Sequence, residues 1–145
     1  MSETWASAFR IFVGLFWLYF ASTKWQSVDW TRGLIQSAAA DNPIPGLKEF
    51  LAGVVAPNWF VFSVAQTVAE TVVAILLILG LATRWAGIAG LLLAANLALV
   101  IAFEVKDPGF RWLYYLAVLV NAQIIVSGAG SMALARFKWV PAFLR

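Results

Sequence analysis

The 145-residue chain has no cysteine and no histidine. Their absence excludes disulfides, thiol redox chemistry, haem ligation through imidazole and nearly every soft-metal site. Any redox cofactor is therefore expected to be organic and mobile, with no haem and no metal. Charge is also scarce: Asp, Glu, Lys and Arg together make up 12% of the residues, too little for a chain whose main solvent is water. What fills the sequence instead is hydrocarbon. Hydrophobic residues reach 63%, against roughly 45–50% in soluble domains, and the mean hydropathy is +0.86. Eight Trp and eleven Phe add rings, and the Trp gather near the ends of apolar runs, where such rings mark the level of the lipid headgroups. The formal charge is +3, but the basic residues are scattered at helix ends. The lipid bilayer, not nucleic acid, is the expected partner. Arg10 interrupts the first apolar run and no small-x-small site precedes Lys24, so no cleavable signal peptide is expected.

Crossing about 30 Å of hydrocarbon takes roughly 20 helical residues, and residues 5–25, 59–81, 84–103 and 112–127 meet that length once their aromatic ends are included. The second span is expected to be capped by Asn58 and the third by Thr83, after a turn at Gly80. The fourth is expected to stop at Gly128-Ala129-Gly130. In the long first loop, Leu47, Phe50, Leu51, Val54 and Val55 recur at helical spacing. They predict an amphipathic helix, after the turn around Pro43 and Pro45, that lies at the surface and caps one mouth of the bundle. A second such piece starts near Trp30 and Leu34, and Arg136, Lys138 and Trp139 give the tail the character of a surface anchor. The fold class is thus all-α: an integral membrane four-helix bundle, one domain over residues 1–145. Lys and Arg divide evenly between the two sides, but Asp29, Asp41, Glu49, Glu104 and Asp107 all fall in the first and third loops. That leaves the termini and second loop net basic, which points to cytoplasmic termini in a plasma-membrane protein.

Three spans carry a polar residue near mid-depth: Glu70, Asn96 and Asn121. Such groups are expensive in hydrocarbon and are expected to face inward and meet partners. Gln66 lies one turn from Glu70, and Ser63, Thr67 and Thr71 extend a polar stripe. On the first span, Arg10, Gly14, Trp17, Ala21 and Lys24 alternate in steps of four and three, making one seam. Counting inward from the aromatic ends at about 1.5 Å per residue puts Glu70 roughly 16 Å deep and Arg10 roughly 22 Å deep. The expectation is an Arg10–Glu70 ion pair, with Lys24 guarding the outer mouth. Asn96 and Asn121 suit interhelical glue or a binding role equally, and Trp17 suits a core position or stacking on a planar ring. Ala86, Gly90, Ala94 and Ala98 form a small-residue face for close packing, within the bundle or between protomers.

Arg10-x3-Gly14 with Lys24 closing the first span, Glu70 in the second and Gly80-Leu81-Ala82-Thr83-Arg84 at the next turn together resemble the DoxX/DoxD-like membrane proteins. The likeness covers all four spans; Ala21 and Ala135 depart from it, at positions where Gly and Asp are common. The resemblance implies a four-helix membrane bundle, in some members the quinone-reducing subunit of a thiosulfate:quinone oxidoreductase and in others an accessory of a membrane redox complex. It also implies Arg10, Lys24, Glu70 and Arg84 as functional residues. The leading reading is a quinone-linked oxidoreductase subunit of the respiratory type, acting with partner subunits or as a homo-oligomer. Glu70 and Arg10 would do the chemistry, Glu70 handling protons, and Lys24, Gln66, Trp17, Asn96, Asn121 and Arg84 would hold the ligand. A carboxylate tied to Arg10 would stay ionised, so the two roles of Glu70 compete. The alternative is a non-catalytic accessory subunit of a larger membrane complex. A small-solute carrier is a third reading, which no inverted repeat or broken helix supports.

Overall fold

A computed structural model describes residues 2–142. Among them, four helices are long and apolar enough to cross a membrane: α1 (Glu3–Gln26), α4 (Trp59–Leu79), α5 (Thr83–Val100) and α6 (Pro108–Ser127). Between α1 and α4 lie α2 (Asp29–Asp41) and the short α3 (Leu47–Phe50), which continues without a break into a π-helical turn, Leu51–Val55. The chain crosses alternately, so α2 and α3 sit at one end, here the upper. The start of α1, the α4–α5 turn and the tail meet at the lower end.

Local chemistry sets the helix boundaries. Ser2 accepts from the Trp5 amide at the base of α1. The Asp107 carboxylate takes the Gly109 and Phe110 amides ahead of α6, with Pro108 fitted at its first turn. Gly80 ends α4 in a left-handed conformation, φ +70°. Two expected caps are not made. Ala82, at φ +43°, precedes α5 with no side-chain bond, because Thr83 is already inside the helix. Asn58 turns back to donate to Val54 O at 2.9 Å instead of capping α4.

The seam read from α1 is its buried face: Arg10, Gly14, Trp17, Ala21 and Lys24 are all buried. Phe12, Leu15 and Tyr19 on the opposite side are exposed, as the lipid-facing side of a spanning helix should be. The tightest pairings are α1 with α4 and α5 with α6. A core of Val13, Trp17, Val73, Ala74, Leu77, Ala86, Ala94 and Ile124 joins the two pairs. The small-residue face of α5 is used inside the bundle: Ala86, Gly90, Ala94 and Ala98 are all buried. A methyl group on Gly90 would collide with the Asn121 carboxamide and lie 3.3 Å from Trp17 Nε1. A second cluster joins Ile35, Ala38 and Ala39 of α2 to Leu51 and Val55 of the π-turn and to Val100 and Ile101. The loop helices are thereby docked onto the upper end, as their amphipathic pattern implies.

Gly90→Ala is expected to lower the unfolding free energy by about 1–3 kcal/mol through overpacking. Gly33→Ala, on a part of α2 with no atom within 4 Å of the added carbon, should be neutral or stabilising by up to about 1 kcal/mol. Thermal unfolding of the purified protein in detergent compares them, and equal stability of the two variants would refute the packing described.

Candidate functional site

Glu70 is completely buried, and its partner is Lys24. Lys24 Nζ donates to Glu70 Oε1 at 2.5 Å, with the lysine side chain itself 8% exposed. Gln66, one turn earlier, donates to the same oxygen at 3.0 Å. Asn96 Nδ2 on α5 donates to Gln66 Oε1 at 3.4 Å. Three helices thus contribute to one polar chain, and Glu70 Oε2 is left buried without a hydrogen-bond partner. Trp25 reinforces the α1–α4 contact by donating to Thr71 Oγ1 at 2.9 Å.

The expected Arg10–Glu70 ion pair is not formed, and the reason is register. A Cβ on Gly14 would lie 2.7 Å from Ile78 Cγ1 and 3.1 Å from Ala74 O, so Gly14 stands level with the stretch between those residues. Counting from there along the antiparallel pair puts Lys24 about one turn, about 6 Å, above Glu70 and Arg10 about ten residues below it. A lysine side chain leans toward its helix N-terminus, here downward, and so reaches the carboxylate. Equating the levels of Trp25 and Trp59 misplaced the two helices by about six residues, because α4 begins well above the end of α1.

Arg10 instead closes the lower end. Its guanidinium donates to Leu77 O, to Ile78 O at 2.9 Å, to Ala129 O at 3.0 Å and to Met132 O at 2.5 Å. The last turn of α4 has carbonyls with no helical partner, and a cation suits that end of the helix dipole. Ser7 Oγ accepts from the Met132 amide at 3.0 Å, and Arg136 pairs with Glu3 at 2.5 Å. The tail is therefore stitched across the base of the bundle, including the short 3₁₀ turn Leu134–Arg136.

Beneath α2 and α3 the two helix pairs diverge around a cavity of about 220 Å³. Phe20, Trp30, Phe50, Phe62 and Tyr114 supply aromatic walls, and Lys24, Gln66 and Asn96 supply the polar end. Ser63 also lines it, and its hydroxyl lies 2.6 Å from Thr31 Oγ1 of α2. Thr31 already donates to Val28 O, so Ser63 donates and ties the roof to α4. Thr67 and Thr71 bond back to the carbonyls one turn earlier, as hydroxyls in apolar helices commonly do.

The other selected residues lie elsewhere. Trp17 is packed in the core, and its indole donates to Asn121 Oδ1 at 3.2 Å. The Asn121 amide donates to Ala117 O at 2.7 Å. This pair bolts α1 to α6 and does not line the cavity. Arg84 is exposed on the first turn of α5, at the lower end.

The sequence model of the DoxX family matches residues 6–105. The chain belongs to the DoxX family. No curated protein and no solved structure matches it. The DoxX match runs from the base of α1 past the end of α5. It includes the whole polar end of the cavity and every wall residue named above except Tyr114. Trp30 and Phe50 carry only the amphipathic spacing of the loop, which points to docking and not to a hollow underneath, and Phe62 of α4 reads as an ordinary apolar position of a spanning helix.

Removing one partner of a buried pair costs about 3–5 kcal/mol, so Lys24→Glu and Glu70→Lys are each expected to depress the level of folded protein in the membrane. The combined exchange should recover much of it, whereas exchanging Arg10 and Glu70 should recover none. Quantitative detection of detergent-extracted monodisperse protein reads the result, and rescue by the Arg10 exchange would contradict the register.

Proposed function

We propose that this DoxX-family membrane protein is the quinone-binding subunit of an oxidoreductase or respiratory complex, with the ring held in the cavity beneath α2 and α3. The observation that carries the reading is an aromatic-walled hollow closed at one end by hydrogen-bonding side chains. A cavity of roughly 150 Å³ admits benzene, and this one is about 220 Å³, room for a substituted six-membered ring. Pockets of this kind, mostly apolar with a few convergent polar groups, are the usual form of small-molecule sites.

In this reading a quinone supplies the redox chemistry when bound. The protein supplies flat apolar walls from Phe20, Trp30 and Tyr114 and donors from Lys24, Gln66 and Asn96. Glu70 lies behind them, with Oε1 held by Lys24 and Gln66. Trp17, Asn121 and Arg84 lose their ligand-binding roles, and Arg10 becomes the lock of the lower end. Electrons come from a partner subunit. The site is proposed to lie in the plasma membrane with both termini cytoplasmic, in keeping with Asp29, Asp41, Glu49, Glu104 and Asp107 at the upper end and Arg84, Arg136 and Lys138 at the lower.

A second reading, a non-catalytic accessory subunit, draws on the engagement of Arg10 with four backbone carbonyls and on the distance of Arg84 from the cavity. It expects Glu70→Gln to leave the activity of the surrounding complex intact.

The purified protein in lipid nanodiscs is expected to crosslink to an azido-quinone at cavity residues such as Trp30, Phe50 or Phe62, with labelling abolished by excess unlabelled quinone. Folded protein that never labels, or labels only at lipid-facing residues such as Phe12 and Leu119 without competition, would dismiss the quinone reading.

A further inference from the structure

The hydrogen-bonding groups at the polar end of the cavity are unequally used. An ammonium carries three N–H groups, and Lys24 spends one of them on Glu70 Oε1. Gln66 spends one of its two amide N–H groups on the same oxygen and Asn96 spends one on Gln66. Lys24, Gln66 and Asn96 all line the cavity, while Glu70 does not. The wall therefore presents spare donors, and the strongest belongs to the lysine.

Charge narrows the choice of occupant further. Glu70 already neutralises Lys24, so an anionic headgroup would carry an uncompensated charge into a low-dielectric wall, and a cationic one would face an ammonium. A neutral oxygen acceptor adds no charge and still receives a charge-assisted hydrogen bond. The mouth is flanked by exposed apolar rings, Trp30, Phe50 and Phe62, which suit a molecule with an apolar body or chain.

We infer that the polar end of the cavity selects the carbonyl oxygen of a neutral amphiphile, with Lys24 Nζ as the contacting donor and Glu70 as the positioning residue that aims the ammonium and cancels its charge. The inference deepens the quinone-site reading and rests on it. Both donors to Glu70 converge on Oε1, and Oε2 has no partner, so the carboxylate serves the wall through one oxygen. Replacing it by an amide would keep a hydrogen-bonding group there and leave the lysine charge unbalanced. Selectivity should then move from neutral to anionic ligands, an effect that a merely structural role for Glu70 would not produce.

The test is isothermal titration of the full chain in nanodiscs of neutral lipid with three probes: a decyl-substituted benzoquinone, dodecanoate and dodecylamine. The unmodified protein is expected to bind the benzoquinone about tenfold or more tighter than either charged probe. Lys24→Met should lower benzoquinone affinity about tenfold. Glu70→Gln should raise dodecanoate affinity about tenfold and reverse the ranking. A preference of the unmodified protein for either charged probe overturns the inference, and needs no variant to fold. Benzoquinone binding indifferent to Lys24→Met, or an unchanged ranking in folded Glu70→Gln, overturns it while leaving the quinone site standing. Failure of the unmodified protein to bind any probe overturns both.

Discussion

Hydrocarbon offers a buried ammonium no solvation, so Lys24 must end on a carboxylate, and the upper half of this bundle is arranged around that bridge to Glu70. The contact fixes how far α1 and α4 slide past each other, because a shift of one turn would separate the charges inside the membrane. Gly14 and its tight approach to Ile78 impose the same register by packing. Electrostatics and sterics thus specify one alignment independently, and the Trp25–Thr71 hydrogen bond adds a third constraint from the same helix pair.

The two ends of the bundle meet the demand for satisfied polar groups in opposite ways. At the lower end a single guanidinium gathers carbonyls from α4 and from the tail and ties the two together. At the upper end the polar groups are side chains, and they stop short of the mouth. Helix α2 and the π-helical turn after α3 roof the remaining space with Leu34, Ile35, Leu51 and Val55. One end is thereby tied through backbone acceptors and the other encloses a roofed cavity, with the Trp17–Asn121 hydrogen bond between them holding α1 to α6.

The seam of α1 was legible because steps of three and four are a helix's own period, and every member of it is buried. The small-residue face of α5 was legible for the same reason. Register was not. Aromatic belts mark membrane depth only when helices begin at one level, and α4 starts about six residues above Trp25, because its first turns stand beside α2. The partners of Arg10 were invisible for a different reason: backbone carbonyls have no sequence signature, so a guanidinium that serves them looks like one in search of an acid. The cavity needed tertiary information altogether, since its walls come from six segments and most of its residues read individually as ordinary apolar helix positions.

The size of the hollow bears on what the protein is for. A closed apolar cavity costs about 24 cal/mol per Å³ in lost contacts, so a hollow of about 220 Å³ would forfeit at most about 5 kcal/mol, and less where its mouth is open. Small changes would reduce that loss: the walls are built from Leu, Ile, Val and aromatic side chains whose enlargement or reorientation would fill the space. Closing it around aliphatic residues would also remove any reason for Lys24, Gln66 and Asn96 to line it, since a buried charge pair is no more stabilising than a well-packed apolar replacement. A subunit that only packed against larger partners would be served by a solid upper end. A hollow kept beside an ion pair, under a separate roof, is better explained by an occupant that returns the lost contacts and meets the spare donors.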